Sequence, residues 1–132
     1  LSEDEFFASS GVRSSVEAAR NALSDKIQYL TEFLGGEYEI QGAYPAWEYR
    51  KESPLRDKMV EVYETMYGQK PEVVAIHAGL ECGLFYKKID GLDCVSLGPD
   101  MKDIHTSEEV LDIASTERVW KYLVKVLEEL KD

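Results

Sequence analysis

Apolar and polar residues alternate along this chain in two different rhythms, and the changes of rhythm mark the elements. Val16, Ala19, Leu23, Ile27, Leu30 and Leu34 recur three or four residues apart, which predicts one helix with a single apolar stripe. Ser14 with Glu17 three residues on forms a capping box at its start. Gly35 and Gly36 end it, because glycine readily takes the left-handed terminal conformation. Residues 4 to 12 before it read as the end of a strand. Tyr38, Ile40 and Tyr44 then fall at even spacing, which predicts a strand over Glu37 to Tyr44 with one covered face. Pro45 breaks it, and Trp47 anchors the connector that follows.

Ser53 and Pro54 open a second helix as cap and first helical residue. Leu55, Met59, Val62, Tyr63 and Met66 form its stripe and Gly68 ends it. Glu72 to His77 is a continuous apolar run, as in a strand covered on both faces. Leu80 to Lys88 reads as a short helix, and Asp93 to Leu97 as a second short strand stopped by Gly98-Pro99. A loop leads to His105. Thr106 and Glu109 fit a further capping box, and Val110 to Ile113 fits a brief strand as well as a helix start. Ser115 caps the last helix, whose inward positions are Val119, Tyr122, Leu123, Val126, Leu127 and Leu130, with Trp120 packing the same helix. This order of elements is of the α/β class, helices packed on a small sheet.

Composition narrows the function. Fifteen basic residues against twenty-six acidic ones give a formal net charge of -11. Such a surface disfavours a phosphate backbone, which needs clustered Lys and Arg, and an anionic membrane. No run approaches the roughly 18 apolar residues of a membrane span. Leu1 is not a start methionine, so the chain reads as an excised or processed segment, and its first residues carry no signal-peptide pattern. Cys82 and Cys94, with eleven residues between them, have no redox or zinc-ribbon spacing. They read as small buried residues of a reducing compartment.

Candidate chemistry concentrates in two segments. His105 lies in Gly98-Pro99-Asp100-Met101-Lys102-Asp103-Ile104-His105-Thr106-Ser107-Glu108-Glu109, on a loop after a strand, where α/β enzymes place reacting groups. Imidazole is the commonest protein metal ligand, and Asp100 or Asp103 are placed to orient it; a plain loop histidine fits the spacing equally. The second segment is His77-Ala78-Gly79-Leu80-Glu81-Cys82-Gly83. Its glycines allow a tight turn and close approach of a ligand to the backbone. Glu81 fits a substrate ammonium group or, more plainly, the dipole of the helix it starts. Arg13 reads as a surface arginine, and His77 as a strand-end histidine.

Together these segments resemble the C-terminal part of the aminoacyl-histidine dipeptidases, a branch of the dinuclear zinc peptidases related to carboxypeptidase G. The resemblance runs over the whole chain. It implies residues 1–47 as part of a lid or dimerisation domain and 48–132 as the closing segment of a catalytic domain. It implies His105 as a zinc ligand and Glu81 and Gly79 as substrate-binding residues. It also implies hydrolysis of Xaa-His dipeptides by zinc-activated water, a cytoplasmic location and a homo-oligomer. The family's His-x-Asp element, its Glu-Glu pair with the general base and its further Asp have no counterpart here; Glu108-Glu109 and Glu128-Glu129 stand in other places. No catalytic residue is therefore assigned, and the chain is expected to be inactive alone and completed by the missing N-terminal part of the enzyme. Two other readings share the pattern: a related zinc amidohydrolase or tripeptidase, and a non-catalytic acidic interaction module.

Overall fold

The computed structural model describes residues 5–76 and 81–131. Four helices and one two-stranded antiparallel ribbon make an α+β architecture. In order these are α1 (Glu17–Phe33), α2 (Pro54–Tyr67), α3 (Glu81–Lys88), β1 (Met101–Lys102), β2 (Val110–Leu111) and α4 (Ile113–Glu129). They divide into two compact units. One holds Leu1–Tyr49 with Ala75–Asp90, the other Arg50–Val74 with Gly91–Asp132.

The second unit owns a hydrophobic core. Met59 and Val62 of α2 meet Tyr122 and Val126 of α4, with Leu55, Tyr63, Tyr67 and Val95 packed around them. Each such apolar side chain contributes about 1.5–3 kcal/mol on full burial. Tyr63 stands edge-on to Tyr122 with ring centroids 5.4 Å apart, and the buried Tyr122 hydroxyl donates to the Met59 carbonyl at 2.7 Å. Burial, then the neighbouring Tyr63 and Tyr67, push the Tyr122 hydroxyl above its ordinary pKa, which keeps it protonated as a donor.

Local chemistry sets the ends of α2. The Ser53 hydroxyl accepts from the Arg56 N–H at 3.1 Å, Pro54 needs no amide partner, and Gly68 turns the chain with φ 70°. The Asp93 carboxylate clamps this start. It accepts from the Ser53 hydroxyl at 2.7 Å and from the Leu55 N–H at 3.0 Å. Arg50 donates to the carbonyls of Gly91 and Leu92 at 3.0 Å each, closing the same junction.

The first unit is built differently. No side chain of α1 is buried, and Leu30 is 60% and Phe33 86% exposed. Its C-terminus closes as a Schellman motif: Gly36 N–H reaches the Thr31 carbonyl at 2.9 Å and Gly35 N–H the Glu32 carbonyl at 3.0 Å. The expected capping box is absent. Val16 is the cap residue, Ser14 accepts from Val16 N–H at 3.0 Å, and the Glu48 carboxylate instead takes the Glu17 N–H at 3.0 Å. The buried Gly83 of α3 lies against this unit's connector: an added Cβ would sit 3.1 Å from the Pro45 carbonyl and 3.4 Å from Trp47.

Three predicted strands do not form among the described residues. Residues 37–44, 72–76 and 93–97 have no partner strand there, and a strand exists only where a neighbour completes its ladder. Near 37–44 the bonds run to α1 instead: Ser24 meets the Tyr38 hydroxyl at 2.7 Å, and Arg20 donates to the Tyr44 carbonyl. Trp120 also departs from expectation. It is 65% exposed, and Leu127 and Ile113 on the same helix are exposed as well.

Candidate functional site

His105 sits in the loop that joins β1 to β2, an antiparallel pair with Met101 opposite Leu111 and Lys102 opposite Val110. This hairpin is tied to the start of α4. Asp100 N–H donates to the buried Ser115 hydroxyl at 2.8 Å, and Asp112 N–H to the Asp100 carbonyl at 3.0 Å. The Asp112 carboxylate caps α4 by accepting from Ser115 N–H at 2.5 Å. Ser115, expected as the cap, is thus the residue being capped, and its own hydroxyl donates to the Asp112 carbonyl at 2.8 Å. Arg118 adds an exposed ion pair to Asp100 at 3.3 Å.

Within the loop the backbone takes an unusual course. His105 has φ 68° and Asp103 φ 51°; among the described residues no other non-glycine has a positive φ. Each such position costs about 1–2 kcal/mol for an L-residue, with Asp and His among the more tolerant types. Local bonds oppose that cost. Thr106 N–H and its hydroxyl both donate to the Asp103 carbonyl, at 3.2 and 2.7 Å. The Glu109 carboxylate accepts from the His105 N–H at 2.7 Å. The expected Thr106–Glu109 capping box is therefore replaced: Glu109 reaches back to His105, the chain continues as β2, and α4 starts only at Ile113.

The His105 imidazole is exposed and has no hydrogen-bond partner among the described residues. Asp100 and Asp103 do not orient it; the first pairs with Arg118, and the second offers its carbonyl to Thr106. No group of three or more His, Cys, Asp or Glu able to hold a metal occurs among the described residues. A catalytic zinc takes three protein ligands, so these residues fit a contribution of one ligand and not a complete centre.

Glu81 is the first residue of α3, exposed, at the end where a carboxylate suits the helix dipole. Gly79 and His77 lie outside the described residues. Arg13 is exposed before α1. Cys82 and Cys94 are half-buried thiols. Sequence reasoning paired Thr106 and Glu109 in a capping box and missed that they shape the His105 turn instead. Two left-handed-tolerant residues, Asp103 and His105, set two apart were the available signal.

No family model matches the chain. The cytosol non-specific dipeptidase of Escherichia coli K12 is 33% identical over 119 residues, which is 90% of this chain and 24% of that protein. The crystal structure of aminoacylhistidine dipeptidase from Vibrio alginolyticus is 34% identical with a TM-score of 0.72, over 90% of this chain and 24% of that one. This chain thus spans about a quarter of the length of the relatives it matches. Shared sequence and shared fold together make this chain similar to a quarter-length segment of these two dipeptidases.

Proposed function

We propose that this chain serves a zinc-dependent dipeptidase by lending His105 to a two-zinc centre and Glu81 with Gly79 to the substrate pocket. The observation that carries the reading is the similarity to two dipeptidases over 90% of the chain. The exposed imidazole on an anchored hairpin supports it from the chemistry side. Bound zinc would supply Lewis acidity and a nucleophilic water for peptide hydrolysis. His105 would hold one position on the metal, and Glu81 would meet the substrate ammonium group. The remaining ligands and the general base come from residues outside this chain, so the 132-residue chain alone is inactive and binds no zinc tightly.

The substrate class we assign is Xaa-His dipeptides. The name of the Escherichia coli relative, a non-specific dipeptidase, favours a second reading with a wider dipeptide range. The cytosolic label of that relative and the two thiols support a cytoplasmic setting. The exposed apolar side of α1 supports a homo-oligomer. No helix among the described residues is long and apolar enough to cross a membrane.

The test is a chimera in which this chain replaces the homologous quarter of the Escherichia coli enzyme. Zinc content and a dipeptide panel are measured with His105 intact and as His105→Ala. Loss of zinc and of hydrolysis in the Ala variant is expected. Full zinc and full hydrolysis without the imidazole defeat the ligand assignment, and the panel separates the two substrate ranges.

A further inference from the structure

We propose that Glu109 is a positioning residue for His105. Its carboxylate fixes the histidine backbone in the left-handed conformation from which the ring is offered to a divalent cation. This deepens, and rests on, the reading of His105 as a ligand.

His105 stands at φ 68° in a seven-residue loop with no glycine, so nothing in its own covalent structure favours that pose over the ordinary extended or helical ones. Two contacts hold it. Thr106 closes the turn below by donating twice to the Asp103 carbonyl. Glu109 closes it above by taking the His105 N–H at 2.7 Å, the short length of a bond to a charged acceptor. The Thr106 hydroxyl also accepts from Glu108 N–H at 3.2 Å, which sets the approach of the chain to Glu109. Glu109 in turn precedes β2, and β2 is paired with β1 and tied to α4. The carboxylate therefore transmits the position of an anchored hairpin to a backbone amide four residues earlier. The ring itself is left without a protein partner among the described residues, as a side chain meant for an external ligand would be. A ligand imidazole fixed in advance binds metal better than one free to swing, because the ordering cost is met in folding.

The experiment uses the 132-residue chain, isotope-labelled and without metal. Magnetic resonance reads the intraresidue amide–Hα cross-peak of His105, which is strong only for positive φ, and the exchange protection of that amide. Glu109→Ala is expected to weaken the cross-peak and lower protection about tenfold, the loss of one charge-assisted bond. Glu109→Gln, whose carboxamide oxygen still accepts, is expected to keep both. The Met59, Val62, Tyr122 and Val126 amides should be unchanged in either variant, which separates positioning from a general structural role. An unaltered cross-peak and protection in Glu109→Ala, or a Gln variant as impaired as the Ala one, overturns the proposal. Zinc plays no part in this readout, so its outcome is independent of whether the chimera loses metal on His105→Ala.

Discussion

The two compact units contain helices of similar quality and cores of very different quality. In the second unit α2 and α4 bury Met59, Val62, Tyr122 and Val126, with Val126 only 2% exposed. In the first, α1 is as long as α4, well closed at its C-terminus, and buries no side chain. Caps and periodicity are local and need only a few neighbouring residues. A core needs a second surface of matching shape, and α1 has none among the described residues. The unit that has a core is also the one that carries His105, which puts the candidate ligand on the better-supported scaffold.

Mutation should expose that contrast most clearly in the core. Met59→Ala is expected to cost about 2–5 kcal/mol in denaturant unfolding. Leu30→Ala on α1 should change stability by less than about 0.5 kcal/mol. Equal losses would show that α1 has a buried face after all. A smaller effect lies at the helix starts. Asp112→Ala removes the α4 cap and the support of Ser115, for a loss of about 1 kcal/mol. Val16→Asp, by contrast, supplies a side-chain cap where α1 has none and should raise its helicity in circular dichroism. No change in either variant would mean that the caps are not limiting in these units.

The smallest expected effect depends on pH. Burial pushes the Asp93 carboxyl upward, but the Ser53 hydroxyl, the Leu55 N–H and the charges of Arg50 and Arg56 outweigh it. Its pKa lies below the ordinary value. The folded state therefore binds this proton less readily than the unfolded state. The stabilisation is complete above the unfolded carboxyl value of about 3.9 and fades as pH falls through the folded one. Asp93→Asn should flatten the fall of the unfolding midpoint below about pH 4. A slope as steep as that of the parent chain would remove Asp93 from the acid response.

Much of the second unit was legible in the sequence because its signals are local. Ser53, Pro54 and Gly68 bound α2 where their chemistry requires it. The brief strand at Val110–Leu111 was one of two readings, and the Asp100–Asp112 bond decides it. The last helix was recognised but its face was only half read. Trp120 and Leu127 repeat at a period that suits burial as well as Tyr122 and Val126 do, and only the position of α2 separates them. The strands at 37–44, 72–77 and 93–97 were expected from alternation and apolar runs, which record an environment without supplying the neighbour. His105 was found by its surroundings in the text, but its left-handed backbone was not, since no glycine announces the turn. Glu109 was expected to reach the Thr106 amide in a capping box; the chain continues into β2 instead of starting a helix there, and the carboxylate takes the His105 amide, one residue earlier.

The central claim is that this chain offers a single leg of a metal centre completed elsewhere. Calorimetric titration of zinc into the isolated, metal-free chain tests it most directly. The account predicts no stoichiometric binding in the submicromolar range, with or without His105. Two zinc ions bound tightly per chain, released by His105→Ala, would contradict it by showing that these residues build the whole site.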